Sequence, residues 1–466
     1  MKRTILTTII CLFVATSLFA QSGTCGAEGD GSNLTWNLDF DGVLTISGTG
    51  AMADYNYDVY MDEDEYIAVA PWEEHKSLFK KLIINEGITN IGAYAFYYCE
   101  GFMGSLTIPN SVKIIGERAF TGCSGFTGSL IIPDLVEAIG EYAFSSCIGF
   151  EDSLTIGNSV KIIGEHAFSY CNGFGGSLTI GNSVETIGAA AFRECEWFSD
   201  SLIIPNSVKT IGAYAFSHCS GFTGSLTIGN SVETIGAEAF RYCFRFTGSL
   251  IIPNSVKTIG ESAFHNCQSF TSLTISNSMK TIENSTFYWC RGFTGSLTIP
   301  NSVETIGAEA FYHCDGFTGD LIIPNSVKII KRSAFGNCHG FTGSLTISNS
   351  VETIGTYAFS VCKGLTGSLI IPNSVKTIEE RAFMGCIGKN ELIIGDSVKT
   401  IGKYAFSGCH GLTKITVKAT VPPDIYNLDS FHRVNHNSIP VYVPQKSLEV
   451  YKDANVWKEI TTLRGF

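Results

Sequence analysis

The cysteines of this chain recur at a nearly constant spacing. Fourteen of the sixteen lie between Cys99 and Cys409, and eleven of the thirteen intervals between them are 24 residues long. The two remaining intervals, which end at Cys290 and Cys409, are 23 residues long. A fixed period of this length is typical of a solenoid, in which each repeat forms one turn and packs against its neighbours. The spacing therefore predicts one elongated array rather than several independent domains.

Each repeat begins with a strand pattern. In the repeat that ends at Cys243, Leu226 and Ile228 alternate with Thr227, which favours a strand with one buried face. The Ala-Phe-x-x-Cys stretch that closes the repeat fits one helical turn, and the following Gly-Phe-Thr-Gly-Ser is interpreted as a connector. The predicted inward set of this repeat is Leu226, Ile228, Val232, Ile235, Ala239, Phe240 and Cys243.

Three smaller regularities accompany the cysteines. Asn or Asp follows the strand in thirteen successive repeats, from Asn110 to Asp396, which suits a repeated turn or a ladder of side-chain amides. The residue after Val alternates between Lys and Glu in ten of twelve steps, so opposite charges are expected to face each other on adjacent repeats. The 24-residue repeats insert one residue before the strand, usually Gly, which predicts a one-residue bulge there.

A glycine follows the second Ile in most repeats and looks like a turn residue. Glu283, Lys331 and Glu379 replace it in three repeats. A strict requirement for positive φ at this position is therefore not expected.

The repeat resembles the BspA-like leucine-rich repeat family of secreted and surface proteins. The resemblance rests on Ile204-Pro-Asn-Ser-Val208 followed by Ile211-Gly-Ala-Tyr-Ala-Phe-Ser-His-Cys219, and it covers about residues 80–417. It implies an α/β leucine-rich-repeat solenoid, horseshoe-like, with a parallel β-sheet and about 14 repeats of 23–24 residues. It carries no catalytic or ligand-binding residues.

The chain ends are expected to differ from the repeats. Lys2 and Arg3 precede an apolar run that ends at Phe19, which predicts a signal peptide over residues 1–20. Residues 21–80 resemble the family's N-terminal cap, with a β-hairpin around Asp41-Gly42, and residues 418–466 resemble its C-terminal cap. The solenoid is placed at 81–417, and Trp36, Trp72 and Trp457 are expected to cover its ends.

Catalytic and metal chemistry finds little support in the sequence. No Cys-x-x-Cys pair, Gly-rich phosphate loop, nucleophile elbow or His-Glu-x-x-His motif is present, so no enzyme activity, cofactor or metal is expected. The pair His432 and His436 and the acidic run 62–65 are weak metal candidates. The repeated cysteines are interpreted as reduced core residues, because their common position should hold them too far apart for disulfides. The net charge of −12 disfavours nucleic acid as a partner.

The outward strand positions form the candidate binding face. Their Thr and Ile side chains fit either an interaction surface or simple β-propensity, and the Tyr-rich positions near each cysteine either contact a partner or pack along the stack. The candidate residues are Thr107, Ile131, Thr155, Thr179, Ile203, Thr227, Ile251, Thr274, Thr298, Ile322, Thr346 and Ile370.

The resemblance implies a secreted or cell-surface adhesion protein. No stretch after the predicted signal peptide is expected to cross a bilayer, so the mature form is expected to lack a membrane span. Its expected partners are proteins such as matrix or cell-surface proteins. A glycan- or envelope-binding scaffold is the alternative.

Overall fold

The computed structural model describes residues 20–56 and 69–466. Most repeats contribute two short strands, and most of these strands pair in parallel with their counterparts one repeat away. The first series, here called the Leu-x-Ile sheet, is interrupted several times along its length. Its strands are Lys81–Ile84, Leu130–Ile132, Leu154–Ile156, Leu178–Thr179, Leu202–Ile203, Leu226–Thr227, Gly248–Ile251, Phe270–Thr274, Leu321–Ile322, Leu345–Thr346, Gly367–Ile371, Lys389–Ile394, Lys414–Val417, Val441–Val443 and Leu463–Gly465.

The second series, here called the Thr-Ile sheet, comes from the Val-x-Thr-Ile stretch. It forms one run of nine strands and one of seven, which separate at the 23-residue repeat between Ile259 and Thr281. Its strands are Gly50–Ala51, Ile88–Ile91, Ile114–Ile115, Ala138–Ile139, Ile162–Ile163, Thr186–Ile187, Thr210–Ile211, Thr234–Ile235, Thr258–Ile259, Thr281–Ile282, Thr305–Ile306, Ile329–Ile330, Thr353–Ile354, Thr377–Ile378, Thr400–Ile401 and Asp424–Ile425.

The third side of each repeat is built from turns, and the predicted helical turn at Ala-Phe-x-x-Cys is wrong. The amide of Phe120 donates to the carbonyl of Ala143 at 2.7 Å, one repeat away, whereas the amide of Cys123 bonds back to Phe120. Residues before Ala-Phe and before Cys take positive φ, as at Tyr142 (54°) and Ser146 (60°). A left-handed residue every few positions cannot continue a helix, so the backbone pairs between repeats instead.

Helices are few in the described part of the chain. The α-helix there is Leu448–Asp453, and the 3₁₀ helices are Glu73–Leu78, Leu428–Phe431, Gln445–Ser447 and Trp457–Glu459. Among these residues no helix is long and apolar enough to cross a membrane.

The core is one column of side chains that runs the length of the array. All seven predicted inward residues of the repeat ending at Cys243 are at most 5% exposed. An eighth, Phe246, is also buried, so the segment interpreted as a connector belongs to the core. Equivalent phenylalanines stack from repeat to repeat, as Phe198 does on Phe222 with ring centroids 5.7 Å apart.

The strand register is irregular beside the two 23-residue repeats, but the residue that is passed over lies in the shorter repeat, at Thr271 and Asn390, and not at the inserted glycine where the bulge was predicted. The pairing shifts between Gly248 and Ser249 and again between Gly367 and Ser368, in both cases beside a 23-residue repeat. The glycine after the second Ile does not need positive φ. A Cβ on Gly116 would lie 2.5 Å from the backbone nitrogen of Ala93, so close approach of adjacent repeats favours glycine there.

Both ends carry irregular structure that contacts the array. Strands Leu34–Leu38 and Val43–Gly48 form the antiparallel hairpin, and the second pairs in parallel with Lys81–Ile84. Trp72 and Trp457 are buried at the two ends, and Trp36 is 5% exposed. The predicted signal peptide, apart from Ala20, and the acidic run 62–65 lie outside the described residues.

Candidate binding surfaces

The twelve candidate residues lie on the outer surface of the Leu-x-Ile strands and of the equivalent segments that lack strand pairing. Eleven are exposed and Thr155 is half-buried. Strand pairing aligns them in short groups: Thr155 is opposite both Ile131 and Thr179, and Ile203 is opposite Thr227. We call this set the Thr/Ile row.

The isoleucines of the row are unusually accessible for large apolar residues. Exposed fractions are 61% for Ile131, 62% for Ile203, 55% for Ile251, 55% for Ile322 and 51% for Ile370. They recur every second or third repeat. The row is therefore an extended line of apolar side chains spaced by threonine hydroxyls.

The Thr-Ile sheet carries the predicted alternation of charge. Lys209 pairs with Glu185 at 2.6 Å, and Glu304 contacts both Lys280 and Lys328 at 3.2 Å. The hydrogen bonds from these lysines lower the pKa of Glu185 and Glu304. Opposite charges thus meet on adjacent repeats as predicted, and most of this charge is already paired within the chain.

The Asn positions link neighbouring repeats through the backbone. The side-chain oxygen of Asn206 accepts from the amide of Asn230 at 2.8 Å, and that of Asn254 accepts from Asn277 at 2.9 Å. These asparagines lie in turns, as predicted. In these pairs the acceptor side chain bonds the next repeat's main chain rather than its amide side chain.

At three places on the turn side an arginine lies between two tyrosines. The guanidinium of Arg118 lies 5.4 Å from the ring centroid of Tyr94 and 4.5 Å from that of Tyr142. Arg193 and Arg381 lie between tyrosines of neighbouring repeats in the same way. Of the two interpretations of the Tyr-rich positions, packing along the stack is confirmed for these residues.

The repeated cysteines are free and buried, as predicted. From Cys123 to Cys409 each thiol donates to the carbonyl of a phenylalanine in the preceding repeat, for example Cys219 to Phe192 at 3.0 Å. Burial raises the pKa of Cys171 to about 12 and holds that of Cys219 well above its usual range. Such thiols are poor nucleophiles and poor metal ligands.

The structure brings together one group of candidate metal ligands that the sequence did not predict. Ligand atoms of His313, Asp315 and His339 all lie within 4.8 Å of one another. In the sequence the histidines look scattered, because the cluster needs residues on both sides of Cys314 and the residue after Cys338. The weaker candidates His432 and His436 do not join such a group among the described residues.

Solved structures of bacterial proteins resemble this chain. A leucine-rich repeat protein from Bacteroides ovatus is 24% identical with a TM-score of 0.56, covering 88% of this chain and 98% of that one. A leucine rich cell surface protein from Faecalibacterium prausnitzii is 23% identical with a TM-score of 0.43, covering 86% and 95%. The first likeness shows the solenoid fold. Among curated proteins, none matches this chain.

The model of the family described as "BspA type Leucine rich repeat region (6 copies)" matches residues 74–196, 137–249, 222–342 and 341–439. Together these ranges extend from residue 74 to residue 439 and cover well over half of the chain. The repeats described above, with their Leu-x-Ile strands and Ala-Phe-x-x-Cys turns, are those to which the match refers. The chain belongs to the BspA-type leucine-rich repeat family.

Proposed function

We propose that this chain is an exported, non-catalytic binding protein that presents the Thr/Ile row to a protein partner outside the cell. The observation that carries the proposal is the line of isoleucines more than half exposed, from Ile131 to Ile370. Apolar side chains aligned over many repeats offer a contact area that a single exposed residue does not.

The composition of the row favours a protein surface over a sugar. Thr and Ile supply apolar contact and single hydroxyls, whereas the charged Lys and Glu residues lie on the Thr-Ile sheet and largely pair with each other. A partner with an extended apolar surface, such as a matrix or cell-surface protein, matches this chemistry. Buried apolar contact at the centre of an interface supplies most of its affinity.

Export is part of the same proposal. The basic start and apolar run of residues 1–20 fit a signal peptide, and a solved relative is described as a cell surface protein. Residues 21–80 and 418–466 act in this proposal as caps that keep the solenoid ends from pairing with other chains.

A glycan-binding scaffold is the second candidate. Exposed aromatic side chains favour it: Trp197 is 62% exposed and Tyr98 49%. These residues belong to the turn side and its adjoining loop rather than to the Thr/Ile row. The two candidates therefore predict different binding surfaces.

The test compares substitutions on two surfaces of the same array. A triple variant Ile131→Glu, Ile203→Glu and Ile251→Glu should lose binding to immobilised matrix proteins, because each glutamate places a charge in the apolar contact. The matched control is Ile114→Glu, Ile162→Glu and Ile329→Glu on the Thr-Ile sheet, where the isoleucines are 43%, 51% and 43% exposed.

A pull-down against matrix proteins measures the protein-binding function, and a glycan array measures the glycan-binding function, on the same variants. Loss of protein binding in the first triple variant, with the second unchanged, supports the proposal. Binding that survives in both variants would exclude the Thr/Ile row. Glycan signals that vanish with Trp197→Ala would favour the scaffold.

A further inference from the structure

Two histidines and a carboxylate from adjacent repeats meet on the turn side. We propose that His313, Asp315 and His339 bind a divalent transition-metal ion of the zinc class. One ligand atom from each residue lies within 4.8 Å of the other two. Imidazole nitrogen and carboxylate oxygen are the donors that zinc takes in three-ligand sites with an open fourth position.

The register of the solenoid creates this grouping. His313 precedes and Asp315 follows Cys314, while His339 follows Cys338 in the next repeat. The amide of His313 donates to the carbonyl of Gly336 at 3.0 Å, which holds the two repeats together beside the cluster. The three side chains are therefore positioned by the main-chain pairing that repeats along the array.

Two of the ligand atoms already have the separation that a metal requires. Nδ1 of His313 lies 3.4 Å from Oδ1 of Asp315. Ligands of a tetrahedral zinc ion, with bonds of about 2.0–2.1 Å, lie roughly 3.3–3.4 Å from each other. The same distance is long for a hydrogen bond, so the two atoms are not held to each other by a short bond that a cation would have to break.

His339 keeps one ring nitrogen available for a metal, because the other is engaged with the main chain. Its Nδ1 lies 2.8 Å from the carbonyl oxygen of Val361. A carbonyl only accepts hydrogen bonds, so Nδ1 carries the proton and the lone pair remains on Nε2. Donation from the non-ligating nitrogen to a carbonyl is the usual support of a histidine bound to a metal.

Surrounding residues orient the other two ligands. Nε of Arg291 lies 3.6 Å from Oδ2 of Asp315, which leaves Oδ1 toward His313. The ring of His313 packs edge-on against Trp289 and Tyr312, with centroids 5.6 and 4.8 Å away. Three protein ligands would link two repeats and leave a coordination position for water or a side chain of a partner.

Other repeats contain parts of this arrangement without the whole. His218 occupies the position of His313, but Ser220 and Phe244 stand where Asp315 and His339 are needed. His410 occupies the position of His339 and makes the same bond, with Nδ1 2.9 Å from the carbonyl of Arg433. These two histidines are matched internal controls.

The experiment is calorimetric titration of zinc into the full mature chain, freed of metal and of any affinity tag. The wild type should bind one zinc ion at this site. His313→Asn, Asp315→Ser and His339→Gln should each weaken that binding about tenfold or more. Asn, Ser and Gln occur at the equivalent positions Asn337, Ser220 and Gln268, so the repeat should still fold.

The controls His218→Asn and His410→Gln should leave the affinity unchanged. Cobalt(II) provides a second measurement, since its visible absorption reports nitrogen and oxygen ligands directly and should disappear in the same three variants. Absence of zinc binding by the wild type would overturn the proposal. Equal weakening by the controls would also overturn it, because zinc would then bind surface histidines in general.

Discussion

At the residue scale, Lys389 breaks the apolar pattern of the core. It lies three residues after its repeat's cysteine, where the flanking repeats have Leu365 and Leu412. Lys389 is 1% exposed, and its Nζ donates to the carbonyl of Thr366 at 2.6 Å. Burial lowers the pKa of Lys389, because a desolvated ammonium group is disfavoured.

Lys389→Leu should therefore stabilise the chain, by about 1–3 kcal/mol in the free energy of unfolding at neutral pH. The folded state binds this proton less tightly than the unfolded state, so wild-type stability rises with pH as Lys389 loses its proton. The advantage of the variant should accordingly shrink in alkaline buffer. Urea unfolding at several pH values measures it. Exposed Lys363→Leu, the control, should change stability by less than about 0.5 kcal/mol.

Gly385 tests the cost of the left-handed turn positions. It has a φ of 73°, and a Cβ there would meet only ordinary contacts, 3.7 Å from Cα of Val361. Gly385→Val should cost about 1–2 kcal/mol through φ alone, whereas Gly385→Asn should cost less because Asn tolerates this region. Unfolding of the two variants by denaturant gives the comparison. Equal losses would mean that space, not φ, limits this position.

At the scale of the element, the turn side explains why cysteine suits its place. The thiol is small enough for a fully buried corner and donates one hydrogen bond to the main chain of the preceding repeat, as Cys243 does to Phe216 at 3.0 Å. A disulfide between neighbours would remove both donors. The repeated cysteines therefore stabilise the pairing of adjacent repeats as separate thiols, each with its own hydrogen bond.

All fourteen repeat thiols should be unreactive in the native protein and titrate only after unfolding. Their raised pKa values keep them protonated, so raising the buffer to about pH 9 should not release them. Ellman titration with and without denaturant, under non-reducing conditions, measures both states. Ser105→Cys, at an exposed position, is the positive control and should react in the native state. Thiols that stay blocked after unfolding would contradict the prediction that the repeated cysteines are reduced.

The sequence predicted the strands better than the turns, for a physical reason. Alternation at Leu226 and Ile228 indicates one buried face directly, and so the exposed row could be predicted as well. A helical period fits both the spacing of Val232 and Ile235 and the Ala-Phe-x-x-Cys stretch. Two-residue strands joined by turns produce the same spacing of buried residues. The positive φ of a residue such as Glu238 could not be predicted, because glutamate is not a residue type that favours this conformation. The cluster of His313, Asp315 and His339 could not be predicted from the sequence, because it depends on how adjacent repeats are aligned with each other.

At the scale of the whole molecule, one aromatic column joins the two ends. Its rings run from Trp72 to Phe431 with neighbouring centroids 5.1–5.9 Å apart. Trp457 closes the column edge-on against Phe431 at 6.3 Å and donates from Nε1 to the carbonyl of Pro423 at 2.7 Å. Because each repeat contacts only its neighbours, stability should be lost locally from an end rather than throughout.

Trp457→Ala should therefore open the C-terminal repeats and leave the middle intact. The lost side chain is fully buried, so the local cost should be about 3–5 kcal/mol. Hydrogen exchange should become faster around Phe406 and Ile415 and stay unchanged around Phe216. Trp197→Ala, which removes a tryptophan that is 62% exposed in the middle of the array, should alter neither region. Uniform loss of protection along the chain would instead show that the solenoid unfolds as a single cooperative unit.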